Sequence, residues 1–181
     1  MTTQDPAALV RYLDVFPEWL RTLGEDAAAL GEIAKDAQDN DTGRYVVAGL
    51  NYVFKSLDLI ADGIDDVGFC DDAFVIRVGA ALAVKADPSA NDGIVGKLAA
   101  DAAIVEEFLE EDYPKLVEYV QGLRRGAARG RTVDDIIGDS AVREVFVQEV
   151  FAWAQDYKVP SFTRDVKTLI KLKAFLSAKL A

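Results

Sequence analysis

The chain has no histidine and only one cysteine, Cys70, among its 181 residues. Without histidine there can be no Ser-His-Asp triad, no Cys-His nucleophile pair and no Glu-x-x-His di-iron bundle. A single cysteine cannot form an internal disulfide, a thiolate zinc site or an iron–sulfur cluster within one chain. Catalysis would have to use carboxylates with a hard cation, a lysine of shifted pKa, or a serine or tyrosine.

Long apolar runs and phosphate-binding glycine motifs are also absent. The longest apolar stretches, such as residues 79–84, are far shorter than the ~20 residues that a bilayer span requires. There is no Gly-x-x-x-x-Gly-Lys-Ser/Thr motif, and no Gly-x-Gly-x-x-Gly follows a strand-like run. The first residues include acidic Asp5 and no basic residue before Arg11, which is not typical of a signal peptide. We therefore expect a cytoplasmic protein.

What is present is a strong helical pattern. Hydrophobic residues make up 51% of the chain and charged residues 28%, which is typical of a folded globular protein. Apolar residues recur at helical spacing along most of the chain, and no stretch alternates with a period of two. The sequence therefore predicts an all-α domain of about six to eight helices, built around a helical hairpin and without a sheet.

Charge is distributed unevenly along the chain, whose net charge is −11. Residues 1–120 contain 24 acidic and 9 basic side chains, whereas residues 121–181 contain 7 acidic and 11 basic ones. We expect residues 1–160 to form an acidic helical domain and residues 161–181 a basic helix docked on it. The alternative is that this helix contacts a membrane surface through its lysines, Lys167, Lys171, Lys173 and Lys179.

The most distinctive segment, residues 56–77, is rich in aspartate. Asp58 and Asp62 are four residues apart, which on a helix places them on one face about 6 Å apart along the axis. Two negative charges near a helix C-terminus require a counter-charge. It could be Lys55, Arg77 or a divalent cation such as Mg²⁺, held by Asp58 and Asp62 together with Asp71 and Asp72. In the structural alternative, Asp71 and Asp72 cap the following helix and Asp58 and Asp62 form ion pairs.

This segment resembles the signature of the YkvA-like family, small and mostly bacterial proteins of unknown activity. The matching residues are Asp58-Leu59-Ile60-Ala61-Asp62, Ile64, Val67-Gly68 and Asp71-Asp72, with an aromatic residue, Tyr52, upstream. The family pattern has proline where this chain has Ala61 and Asp65. The match covers residues 45–86 and identifies the chain as a divergent member. It implies a helical hairpin and carries no reaction with it.

A second cluster is basic and lies among glycines near residue 126. Its members are Arg124, Arg125, Arg129 and Arg131. Arginine in such a loop can bind a phosphate group or an acidic partner. The alternative is that these side chains contact the acidic body of the protein itself. Nucleic-acid binding is not expected at a sequence pI near 4.5.

Three functional hypotheses follow. The first is a non-enzymatic interaction or scaffold module without a cofactor, which binds a protein partner or a second copy of itself. The second is a Mg²⁺-dependent enzyme for a phosphorylated or diphosphate substrate, in which the aspartates hold the metal and Arg124 or Arg125 binds phosphate. The third is a peripheral membrane protein attached through residues 161–181, which would leave the apolar face of that helix exposed.

Overall fold

The computed structural model describes residues 4–56 and 58–181, and in that part of the chain it contains eight α-helices. They are α1 Pro6–Ala34, α2 Asp41–Tyr52, α3 Cys70–Ala86, α4 Gly93–Leu109, α5 Tyr113–Gly122, α6 Val133–Gly138, α7 Ser140–Asp156 and α8 Val166–Leu180. Short 3₁₀ turns occupy Pro88–Ala90, Glu110–Asp112 and Leu123–Arg125. The predicted all-α class is confirmed.

One detail of that prediction, the absence of a sheet, is wrong. Two strands of two residues each, β1 Ala127–Ala128 and β2 Arg131–Thr132, pair antiparallel. The turn between them has Arg129 at φ 52° and Gly130 at φ 77°. Two consecutive residues with positive φ are what the tightest hairpin turns require. Strands this short have no periodicity that could be detected in the sequence.

Most helices begin at a short polar side chain, as local sequence predicts. Asp5 accepts a hydrogen bond from the Ala7 N–H at the start of α1, and Asp165 accepts one from the Lys167 N–H at the start of α8. Helix α3 differs, because the residue before it, Phe69, has a left-handed backbone (φ 65°) and provides no side-chain cap. The chain therefore enters α3 through a turn whose shape depends on tertiary contacts.

Helix α3 is the central helix of the fold. It packs against α2 and α4, and most of its residues are buried. Beside it, the Phe16 ring lies 5.1 Å from that of Phe74 and 5.0 Å from that of Phe108. Because α3 is surrounded by other helices, Asp71 and Asp72 in its first turn lie inside the protein.

Helix α8 lies on the body of the protein, with Leu169, Leu172 and Leu176 buried in the shared core. Val166 and Ile170 on its other side are exposed. The helix packs against α1 and α5, so its main apolar face is covered. No helix among residues 4–56 and 58–181 has the length and hydropathy needed to cross a membrane.

Candidate functional site: a buried aspartate cluster

The acidic turn, residues 58–69, reverses the chain between α2 and α3. Its Gly68 N–H donates a hydrogen bond to the Ile64 carbonyl at 2.9 Å. A Cβ atom on Gly68 would lie only 2.1 Å from the Asp62 carbonyl oxygen, so only glycine fits here. Asp66 (φ 68°) and Phe69 (φ 65°) both have left-handed backbones. This tight path brings Asp58 and Asp62 back to the first turn of α3.

Three carboxylates converge at that point and form what we call the aspartate cluster: Asp58, Asp62 and Asp72. One carboxylate oxygen from each lies within 4.8 Å of those of the other two. Asp72 is buried, Asp58 is half-buried and Asp62 is exposed. The cluster therefore runs from the protein interior to the solvent.

Asp71 lies beside the cluster and is held by groups from outside its own helix. Its Oδ2 accepts hydrogen bonds from the Tyr52 hydroxyl at 2.5 Å and from the Ile60 N–H at 3.2 Å. The Tyr52 hydroxyl in turn accepts a hydrogen bond from the Leu59 N–H at 2.8 Å. Tyr52 thus joins the end of α2, the acidic turn and the start of α3.

Among the residues that the structure describes, no hydrogen-bond partner is found for two buried carboxylate oxygens of this site, Asp71 Oδ1 and Asp72 Oδ2. Leaving a carboxylate oxygen buried and unpaired is expensive, and proteins rarely do so without a bound water or ion. Asp72 is also enclosed by the protein, with only 1% of the residue exposed. Within residues 4–56 and 58–181, no basic side chain supplies a paired positive charge to these carboxylates.

Arg77 does not supply that charge, so the predicted ion pair between Arg77 and Asp58 or Asp62 is wrong. Its guanidinium instead lies 3.5 Å from Asp26 and 3.2 Å from Asp101. It also donates to the Ala73 carbonyl at 3.0 Å and lies over the ring of Trp19. One turn and a half of helix separate Arg77 from Asp72, and this directs its side chain toward α1 and α4.

Lys55 does not form the predicted ion pair either. Its ammonium donates a hydrogen bond to the Tyr119 hydroxyl at 3.1 Å and lies over the Tyr119 ring. Within the described ranges, Asp58 and Asp62 have no basic group within 4.0 Å. The charges of Lys55 and Lys179 do act on Asp58 from a distance, and they oppose the rise in its pKa.

The predicted capping role is wrong for Asp71, whereas Asp72 accepts a hydrogen bond from its own backbone N–H at the start of α3. Both lie in the first turn of α3, where the helix dipole favours a carboxylate. However, the hydrogen bonds that Asp71 accepts come from Tyr52 and Ile60 rather than from the start of its own helix. Because neighbouring helices bury the start of α3, these two carboxylates are removed from water. At the start of a surface helix they would be exposed to it.

Burial and mutual repulsion raise the pKa values of the whole group. Burial raises the pKa of Asp72 well above its usual range, and the charges of Asp71 and Asp62 add to the effect. The pKa of Asp71 is raised by burial, although the hydrogen bonds from Tyr52 and Ile60 oppose the change. Partial desolvation and the charge of Asp58 raise the pKa of Asp62 to about 6. For all three carboxylates, burial is the largest cause of the rise in pKa.

The arginine cluster is not part of this site. Arg124 pairs with Asp41 at 3.4 Å, and Arg129 and Arg131 both pair with Glu149. Asp41 begins α2, whereas the cluster lies near the other end of that helix, about 16 Å away along its axis. Three of the four predicted anion-binding arginines thus contact acidic groups of the protein itself. The fourth, Arg125, is exposed.

Sequence reasoning missed Tyr52 as the partner of Asp71, and Asp26 and Asp101 as the partners of Arg77. A buried tyrosine just before an aspartate-rich turn is a usable signal, because its hydroxyl requires a partner. For Asp26 the signal is a single carboxylate next to Ala27 on the apolar face of α1. Neither signal identifies which residue the side chain contacts.

Comparison of the chain with known proteins adds no family. No family model matches it, and no similar protein was found among curated proteins or solved structures. The resemblance to the YkvA-like family therefore stays a prediction based on the residues of the acidic turn.

Proposed function

We propose that this protein is a non-enzymatic helical module that binds a divalent cation at the aspartate cluster. The observation that carries the proposal is the convergence of Asp58, Asp62 and Asp72 at a residue, Asp72, whose buried Oδ2 has no hydrogen-bond partner in the part of the chain that the structure describes. A cation there would supply the missing positive charge. It would also give the orphaned oxygen a ligand to bind.

The donor set favours a hard cation. All of the candidate donors are carboxylate oxygens, which suit Ca²⁺, Mg²⁺ and Mn²⁺ rather than softer metals. Oxygens around one Ca²⁺ ion can be up to about 5 Å apart, because Ca–O distances are 2.3–2.6 Å. The spacing of the cluster, within 4.8 Å, is compatible with that coordination sphere. Asp62 at the rim gives the ion a path from solvent.

The enclosure of the site supports binding rather than catalysis. Asp71 and Asp72 are almost fully buried, which leaves little room for a substrate beside the ion. The enzyme hypothesis also required Arg124 or Arg125 as a phosphate ligand, and Arg124 instead pairs with Asp41. A module of this kind would act through the conformation that the cation stabilises.

The proposal also gives a meaning to the resemblance noted in the sequence. The residues that carry it, Asp58, Asp62, Gly68 and Asp71-Asp72, form or shape the cluster and its turn. We therefore propose that the chain is a divergent YkvA-like protein in which this hairpin is a cation site. A cytoplasmic location and a protein partner or second copy remain part of the proposal.

Calorimetric titration of chelator-treated protein with Ca²⁺, Mg²⁺ and Mn²⁺ tests the proposed site. We expect one ion per chain for at least one of these cations, with a dissociation constant of about 10⁻⁶–10⁻³ M. Asp72→Asn should abolish binding, because it neutralises the buried ligand. Asp65→Asn, which makes the same charge change in the same turn outside the cluster, should leave the affinity unchanged.

The proposal fails if no cation binds to the wild-type protein, or if Asp72→Asn binds as tightly as the wild type. A thermal melt of each variant shows that it is folded. The same melts give a second readout, because an ion at 100 times its dissociation constant stabilises the folded state by about 2.7 kcal/mol.

A further inference from the structure

The acidic turn also contacts the C-terminal segment. Asp66 Oδ1 accepts hydrogen bonds from the Thr163 N–H at 2.9 Å and from the Thr163 hydroxyl at 2.8 Å. The Asp65 carbonyl accepts one from the Lys171 ammonium at 2.7 Å. One short turn thus carries two cluster ligands and the contacts that hold residues 163–171.

We infer that cation occupancy of the aspartate cluster controls how firmly residues 163–171 dock on the acidic turn. The inference rests on the proposed cation site and states what that site would regulate. The partner of the regulated contact is a segment of the same chain, which consists of the residues before α8 and its first turns.

Hydrogen bonds within the turn provide the physical connection. The Ile64 N–H donates to the Ala61 carbonyl at 3.1 Å, and the Gly68 N–H donates to the Ile64 carbonyl at 2.9 Å. Asp62 and Asp66 therefore belong to one hydrogen-bonded loop, four residues apart. A cation that fixes the Asp62 carboxylate would therefore restrain the backbone that presents Asp66 to Thr163.

Without a cation, several features favour the opening of this loop. The carboxylates of Asp58 and Asp62 face that of Asp72 across the start of α3, and like charges at this spacing repel. The left-handed backbones of Asp66 and Phe69 add strain, because non-glycine residues disfavour that region. An ion shared by the two turn ligands and Asp72 would tie the loop to α3.

The C-terminal segment also forms two ion pairs with residues outside the acidic turn. Arg164 pairs with Asp14 of α1 at 3.1 Å, and Lys173 pairs with Glu110 at 2.6 Å. The buried leucines of α8 add apolar contacts within the shared core. The hydrogen bonds to the turn are made by Thr163 and Lys171, whereas Lys179 acts on Asp58 only through its charge. Residues 163–171 should therefore respond to the cation more strongly than residues 173–181.

Hydrogen exchange of the full-length protein, with and without saturating Ca²⁺ or whichever cation binds in calorimetry, tests the inference. We expect the cation to slow exchange in peptides from residues 161–172 by about threefold or more, with a smaller change in residues 173–181. The thiol of Cys70, buried at the start of α3, provides a second readout. Its reaction with a thiol reagent should slow when the cation is bound.

Two variants of Asp66 form a matched pair. Asp66→Gly keeps the left-handed backbone but removes the acceptor for Thr163, so the cation should still bind but exchange at residues 161–172 should no longer respond to it. Asp66→Asn keeps an acceptor oxygen and should retain the response. Asp14→Asn, which removes the Arg164 ion pair away from the turn, should loosen the segment in both states and retain the response.

The outcomes separate this inference from the proposed function. If no cation binds in calorimetry, the proposed site is absent and the inference is overturned with it. If the cation binds but exchange at residues 161–172 stays unchanged, or if Asp66→Gly responds like the wild type, the inference is overturned and the cation site stands. Thr163→Val, which removes only the hydroxyl contact, provides the test if Asp66→Gly does not fold, and it should weaken the response.

Discussion

At the scale of single residues, the carboxylate of Asp72 has the least favourable environment among the groups of this site. It is buried at the start of a central helix, close to two other aspartates and without an ion pair. By contrast, buried Arg77 is fully neutralised by Asp26 and Asp101, and a ring face of Trp19 covers it. Buried Arg77 thus has two carboxylate partners, whereas Asp72 has no ion pair among the described residues.

The raised pKa of Asp72 predicts how stability changes with pH when no cation is present. Because its pKa is higher in the folded than in the unfolded state, the folded state binds the proton more tightly, and stability should fall as the pH rises from about 4 toward neutrality. Asp72→Asn should reduce this dependence. It should also stabilise the cation-free protein at pH 7.5 by about 1–3 kcal/mol.

Thermal or urea unfolding in chelator at several pH values between 5 and 7.5 measures this effect. Asp65→Asn is the control, since it removes a charge from an exposed position of the same turn. If the cation-free Asp72→Asn protein is less stable than the wild type at pH 7.5, the Asp72 carboxylate has a stabilising partner even without a cation, and the prediction is wrong.

At the scale of elements, the acidic turn is the feature on which the site depends. Helices α2 and α3 pack against each other, and the turn must reverse the chain within a few residues so that Asp58 and Asp62 reach Asp72. The reversal requires the Gly68 backbone to approach the Asp62 carbonyl closely. The close contact at Gly68 therefore sets both the shape of the turn and the positions of Asp58 and Asp62.

Replacing Gly68 by alanine should disturb both. A Cβ atom 2.1 Å from the Asp62 carbonyl oxygen forces the turn to move, and we expect a loss of about 1–3 kcal/mol in unfolding free energy and a weaker affinity for the cation. Urea unfolding and calorimetry measure the two effects. Gly63→Ala is the matched control, because a Cβ there meets nothing within 4 Å. Equal effects of the two substitutions would contradict the steric explanation.

At the scale of the whole molecule, residues 161–181 share the core of the rest of the chain. Leu169, Leu172 and Leu176 belong to the same apolar cluster as the residues of α1 and α3. The basic side chains of this segment pair with acidic residues of the body, for example Lys173 with Glu110. The uneven charge along the sequence is therefore partly neutralised by contacts within the fold.

Because the core is shared, a change in α8 should affect the whole protein. Leu172→Ala should lower the free energy of unfolding by about 2–5 kcal/mol, since it leaves a cavity at a fully buried position. Ile170→Ala in the same helix should change it little, because 55% of Ile170 is exposed. Unfolding followed by tryptophan fluorescence and by circular dichroism should give one coincident transition. Separate transitions for the two signals would indicate that α8 melts independently.

Much of this structure follows from local signals in the sequence. Helical class, the cap of α1 at Asp5, and the break between α2 and α3 follow from periodicity, capping residues and glycine, which act over a few neighbouring residues. The spacing of Asp58, Asp62, Asp71 and Asp72 also singled out the candidate site, although α2 ends at Tyr52 and Asp58 and Asp62 do not share a helix face as that spacing predicted. These features could be predicted because the interactions responsible for them are short in sequence.

The sequence by itself determined that the protein is helical and that Asp58, Asp62, Asp71 and Asp72 are concentrated in one short segment. Only the tertiary structure decided that Arg77 pairs with Asp26 and Asp101, that Tyr52 holds Asp71, and that an oxygen of Asp72 is buried with no partner among the residues that the structure describes. The physical reason is that desolvation and the choice of ion-pair partner depend on which helices pack around α3, and that packing joins residues far apart in the chain.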